Sequence, residues 1–205
     1  MTADDSSPSR PATSQTAAPR RSRTRFVVLG MLALGPASAY SLRQRIASSA
    51  GFFWQESFGQ LFPTLAQLEN EGLVIGRQVA DGKRRRRDYA IAPAGEAALT
   101  AWLHEPPAAQ PERNELLLKV FFATPGDLDA LGSFIAHAEA DARAQVDQLR
   151  GIEASLRETF AADPRLPFWL LTVRYGILGS EAMVQWCEEA RQAMASTPGS
   201  GSADR

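Results

Sequence analysis

The chain has a single cysteine, Cys187, in 205 residues, so no disulfide can close within it and no cysteine-based zinc site can be assembled from one copy. A lone thiol also favours a reducing compartment. Histidine is nearly as scarce. His104 and His137 are the only two, and neither has a second histidine or a cysteine at ligand spacing. With no glycine-rich phosphate loop and no nucleophile paired with either histidine, the sequence offers no catalytic residue, no metal set and no cofactor site, and an enzyme is the least supported class. Net charge is almost absent too, at −1. Its distribution is uneven, however. Through Ala92, Lys and Arg outnumber Asp and Glu by 13 to 7; beyond it they trail by 9 to 16. A basic half joined to an acidic half points to a polyanion as partner for the first and a different task for the second.

Long hydrophobic runs are also lacking. The stretch FVVLGMLAL, Phe26 to Leu34, is nine residues long, against about 20 needed to cross a bilayer, so no membrane partner is expected. Preceded by Arg20, Arg21, Arg23 and Arg25 and followed by Ala37-Ser38-Ala39, it imitates a secretory signal with its cleavage site. Export therefore stands as an alternative to a cytoplasmic location, opposed by the place this run takes as the first helix of a folded module. Residues 1–24, rich in Ser, Ala, Pro, Thr and Arg, cannot bury a core and are expected to be disordered, as is the tail 196–205.

From Thr24 the pattern reads helix, turn, helix, turn, helix, strand hairpin, helix. The first helix covers about Arg25 to Ala33 and stops at Gly35-Pro36. The second runs from about Ala39 to Ser48 with Tyr40 and Ile46 expected inward, and Phe52-Phe53-Trp54 after it reads as core. The third opens on a capping box, Ser57 and Gln60, and Leu61, Leu65 and Leu68 recur at i, i+4 and i+7 to make a core face. Gln60, Thr64 and Gln67 are expected away from that stripe, where uncharged hydrogen-bonding side chains can read base edges in a major groove. Next, LVIGRQV and RDYAI flank Ala80-Asp81-Gly82-Lys83, and Asp-Gly between two β-rich runs signals a hairpin. Its return limb opens with Lys83, Arg84, Arg85, Arg86 and Arg87, adjacent cations that repel one another in isolation and suit phosphates. The fold class is therefore mainly α with a small β-hairpin wing: a winged helix-turn-helix over 25–104. Double-stranded DNA is the expected partner, contacted by Ser57, Gln60, Thr64, Gln67 and Lys83 to Arg87. A winged helix used for protein contacts is the runner-up.

The stretch from Phe26 to Leu103 resembles the PadR-type transcriptional regulators, in LGMLALGPASAYSL, in SFGQLFPTLAQLENEGLV, in the basic wing ending RDYAI and in PAGEAAL. The middle segment is similar to the family's G-Q-L-Y-P-x-L-x-x-L-E-x-x-G-L pattern across Gly59, Gln60, Leu61, Pro63, Leu65, Leu68, Glu69, Gly72 and Leu73. Phe62 stands where the family commonly has tyrosine, Ala39 replaces a usual glycine, and Ala92-Pro93 replaces the usual Thr-Glu at the start of the fourth helix. The resemblance implies a regulator, most often a repressor, that binds a palindromic operator as a homodimer and releases it when a small aromatic or amphipathic compound binds.

After a proline-containing linker, 105–114, a helical module is expected over 115–195. LLLKVFFA is apolar almost all round, and from Leu128 the residues Leu131, Ile135, Ala138, Ala142, Leu149, Ile152, Leu156 and Phe160 step by threes, fours and sevens like a coiled-coil seam. A helix of about 35 residues spans roughly 50 Å, too long for so small a chain to cover, so a second copy is the expected cover. Leu170, Val173, Ile177 and Val184 form a face of the last helix and join Leu131, Ile135, Leu149, Ile152 and Leu156 as the expected dimer interface. Phe121, Phe122, Phe168, Trp169 and Trp186 are the candidates to line an effector site, although aromatics on helices are usually core or interface.

Overall fold

The computed structural model describes residues 23–54, 58–81, 84–108 and 113–197. It divides into two compact units, Met1–Ile46 with Glu56–Glu105, and Ala47–Gln55 with Pro106–Arg205. The arms at 1–22 and 198–205 lie outside the described residues.

In the first unit α1 (Thr24–Ala33) is followed by a two-residue strand β1 (Ala37–Ser38), α2 (Ala39–Ser49), a 3₁₀ turn over Phe58–Gln60, α3 (Leu61–Asn70), β2 (Val74–Asp81), β3 (Arg84–Ile91) and α4 (Pro93–Leu103). The run that imitates a leader is α1, and it is the centre of the core. Val28 and Leu29 are fully buried, and Phe26 and Leu32 nearly so, against Leu42, Leu61, Leu65, Leu68 and Val74. Each such side chain contributes about 1.5–3 kcal/mol by leaving water. Phe26 also stacks on Trp102 of α4 at 4.6 Å between ring centres. On α2 the buried positions are Ala39, Leu42 and Ile46, while Tyr40, expected inward, is exposed and its hydroxyl accepts from Gln44.

The sheet has the order β1-β3-β2 and is antiparallel throughout, with Ala37 opposite Tyr89 and Val74 opposite Ile91. The Ala-Ser-Ala sequence that mimicked a cleavage site is thus a paired strand running into α2. Helix α3 ends in a Schellman motif: Gly72, at φ +71°, donates to Glu69 O, and Leu73 donates to Leu68 O. That left-handed step, cheap only for glycine, turns the chain directly into β2.

The second unit holds α5 (Glu115–Phe122), α6 (Leu128–Thr159) and α7 (Leu166–Ala195). Helices α6 and α7 are antiparallel, with Arg191, Arg143 and Arg150 of one register meeting Glu139, Glu188 and Glu181 in turn. The buried residues are Leu131, Ile135, Ala142, Val146 and Leu149 of α6 and Val173, Ile177, Ser180 and Cys187 of α7, with Leu149, Val173 and Ile177 packed together. Phe52 joins this unit, not the first: it packs with Leu149 beside Gly176, where a Cβ would come within 2.9 Å of Leu149 Cδ1. The expectation that a second copy covers this stripe is corrected here. Leu131, Ile135, Leu149, Val173 and Ile177 are buried within one chain, with Ile152, Leu156, Leu170 and Val184 partly buried, and Leu149 meets Val173 and Ile177 because the short 160–165 connection folds α7 back along α6.

Candidate nucleic-acid interface

Helix α3 enters through the 3₁₀ turn, with Gln60 at the N-cap in helical conformation and no side-chain cap; Ser57 lies outside the described residues. Leu61, Leu65 and Leu68 face the core as the spacing requires. Thr64 is the correction. It is buried at 7% exposure, because at 100° per residue it falls about 40° beyond Leu68, on the flank of the leucine arc and not opposite it. The outer arc carries Phe62, Pro63, Ala66, Gln67 and Asn70, all exposed, together with Gln60 at the N-cap. Gln67 donates to Glu71 at 2.8 Å.

Glu69 sits where α3 meets the wing. Its Oε1 accepts from the Gly76 backbone N–H at 3.1 Å and from Arg87 at 2.6 Å. A Cβ on Gly76 would lie 2.5 Å from both the Glu69 oxygen and the Arg87 guanidinium, so glycine is what lets the two side chains meet over β2. The hydrogen bond with Glu69 holds the Arg87 pKa above its ordinary value. At the end of α3, Glu71 is ion-paired with Arg25 of α1. Both carboxylates beside the outer face are therefore matched by arginines.

The hairpin closes on Asp81 and Arg84, so β3 extends through the whole arginine run. The pleat sends neighbouring side chains to opposite faces. Arg87 goes to Glu69 and lies over the Tyr89 ring at 5.8 Å, whereas Arg86 pairs with Asp88, two residues on along its own face. Adjacency in sequence is thus not a single row of charge. Lys83 and the side chains of Arg84 and Arg85 lie outside the described residues.

In the second unit the five aromatics named for an effector site are dispersed. Phe121 and Phe122 meet edge to face, exposed at 80% and 71%; Phe168 is exposed; Trp169 packs edge to face on Phe160 with Arg165 over it; Trp186 is half-buried. An open cleft of about 340 Å³ is lined instead by Phe52, Gly51, Asp141, Gln145, Gln148 and Ile152, with Ala47 and Ala144. None of the five borders it. What the periodicity did not reveal is a second apolar stripe on α7. Phe168, Leu171, Tyr175 and Leu178 step by three and four on the face opposite Val173 and Ile177, and all are exposed. Helix α5 likewise buries no residue, with Leu117, Leu118, Phe121 and Phe122 all exposed.

Residues 28–101 match the model of the PadR-like family of transcriptional regulators, and residues 112–195 match the carboxy-terminal region of virulence activator alpha. A probable transcriptional regulator of Mycobacterium tuberculosis is 30% identical over 169 residues, covering 77% of this chain and 89% of the relative. This chain belongs to the PadR-like family. Its members and relatives are transcriptional regulators and not enzymes. The negative transcriptional regulator PadR of Bacillus subtilis is 28% identical over 100 residues, 48% of this chain and 55% of that protein. The solved structure of B. subtilis PadR with operator DNA has the same fold, with a TM-score of 0.75 at 21% identity over 86% of this chain and 99% of that one. Its complex with p-coumaric acid gives 0.67 at 20% identity over 84% and 98%. Against the family pattern, Phe62 places a bare ring, 67% exposed, where a phenol is usual. Ala92-Pro93 serves as an extended N-cap followed by proline at the first helical position, with no side-chain cap. No helix among the described residues is long and apolar enough to cross a membrane.

Proposed function

We propose that this PadR-like regulator is a cytoplasmic repressor that binds a two-fold-symmetric DNA operator as a homodimer. The observation that carries the reading is the uncharged outer face of α3, bordered by arginine-paired carboxylates and tied by Glu69 and Arg87 to a β-hairpin whose return strand opens with four arginines. A helix without net repulsion beside a cationic ribbon suits a major groove flanked by phosphates. Duplexes selected from random DNA should contain inverted half-sites, and replacing Arg84, Arg85 and Arg86 by alanine should flatten log Kd against log salt by about 0.9 per lost phosphate contact. An unchanged slope would remove the wing from the interface.

The dimer rests on the exposed apolar side chains of α5 and of the second stripe of α7, since apolar surface grouped in this way marks an interaction site. One recognition helix reads only a few base pairs, so two held about 34 Å apart, or a multiple, are needed for a long operator. Release by a small aromatic acid belongs to the same reading. Its support is the B. subtilis complex with p-coumaric acid, and titrating that compound into the protein–DNA complex tests it.

A further inference from the structure

Resting on the DNA-binding reading above, we propose that α3 reads thymine 5-methyl groups through Phe62, so that the half-sites this protein selects are built on A·T pairs. Phe62, Ala66, Asn70, Pro63 and Gln67 occupy an arc of about 140° opposite the buried leucines, and all five are exposed. From Leu61 to Asn70 there is no lysine or arginine, and the acidic residues at the edge of the arc, Glu69 and Glu71, are paired with Arg87 and Arg25. The helix can approach a polyanion without uncompensated repulsion, yet has no cation of its own to give a phosphate. What it can offer inside a groove is contact with base edges.

On the major-groove edge the thymine methyl is the one apolar group that stands out from the base; the others are hydrogen-bond donors and acceptors and the small C5–H of cytosine. A phenylalanine ring set over guanine or cytosine would strip water from polar atoms and return no hydrogen bond. Over thymine it covers a methyl, and both surfaces leave water. The exposed amides of Gln67 and Asn70 on the same arc match the adjacent donor and acceptor of adenine, the base paired with thymine. The Ala66 methyl adds apolar surface beside the ring. Because Phe62 lacks a hydroxyl, its contact in the groove is apolar alone.

The test uses the full-length protein and the tightest duplex recovered from a random pool, rebuilt with deoxyuridine for thymine one position at a time. This exchange keeps every Watson–Crick hydrogen bond and removes only the methyl. At one or two positions of each half-site the parent is expected to bind about fourfold more weakly per methyl lost, the factor that corresponds to burying one carbon. Phe62→Ala, and Phe62→Gln as a second variant of similar reach, should bind the thymine and deoxyuridine duplexes equally; Phe62 is exposed, so both should fold. The proposal is overturned if the parent tolerates deoxyuridine at every position, or if both variants keep the parent's penalty. Recovery of no duplex above background would instead sink the DNA-binding reading itself.

Discussion

The two units of this chain bury apolar surface in opposite ways. The first closes on itself: α1, α2, α3 and the strand ends send twelve buried side chains into one cluster, and the carboxylates beside the outer face of α3 are ion-paired. The second buries a narrow seam between α6 and α7 and leaves large hydrophobic side chains outside, along α5 and the far stripe of α7. A closed core makes a module that presents a surface to a charged partner. An open one marks where more protein belongs, and the contrast identifies which substitutions should unfold the chain and which should only separate copies.

The sharpest break in that comparison lies within α7, between stripes on opposite sides of one helix. Ile177→Asp would put an unpaired carboxylate into the intrachain seam, where Ile177 is 2% exposed, and should cost about 3–5 kcal/mol. A fall in the thermal midpoint, followed by circular dichroism, reads this, and an unchanged midpoint would mean the seam is misassigned. Leu171→Asp with Tyr175→Asp, on the exposed stripe, should leave helicity and the midpoint of the protomer nearly unchanged. The pair should raise the dimer dissociation constant by at least tenfold in sedimentation equilibrium. A double variant that remains dimeric would remove α7 from the proposed interface.

A smaller effect is expected where α3 meets the wing. If Arg87 serves to hold β3 on α3, Glu69→Ala should weaken operator binding by up to about fivefold, the range of an exposed ion pair, and Gly76→Ala should do the same by forcing the pair apart. If Arg87 instead serves phosphates, freeing it and deleting a nearby carboxylate would tighten binding, so the sign alone decides in a gel-shift titration. The smallest effect concerns the entry to α7. Arg165 and its backbone N–H lower the Asp163 pKa to about 2. A carboxyl depressed by folding stabilises above its unfolded pKa near 3.9, and that contribution fades as pH falls through about 2. Parent and Asp163→Asn should therefore differ slightly in melting temperature above pH 4 and converge towards pH 2, whereas a gap constant across that range would exclude the ionised carboxylate as its source.

Much of the first unit was legible because its signals are local. Gly35-Pro36, the leucines of α3 and the Asp-Gly of the hairpin each act over a few residues, and the elements follow from them. The site was legible less evenly. Gln60 and Gln67 are exposed as expected, but Thr64 is not, since a spacing of i, i+3 from a leucine lies on the core side as readily as i, i+4. Nor could the arginine run show that Arg87 would be held by Glu69, eighteen residues earlier. The two-residue strand β1 had no pattern of its own, being defined only by its pairing with β3.

Composition, periodicity and turn residues suffice to specify a basic winged module and a long-helix module, because those features depend on how each residue relates to neighbours three or four positions away. Which stripe of α7 meets α6 does not. Both stripes are apolar and spaced for a helix, and the choice falls to Val173 and Ile177 only because the return of α7 along α6 brings Leu149 and its neighbours against that side. The same holds for the ion pairs that neutralise Glu69 and Glu71, whose arginines come from a distant strand and from the first helix. Contacts of that kind are set by the long-range packing of whole elements, and no local pattern encodes them.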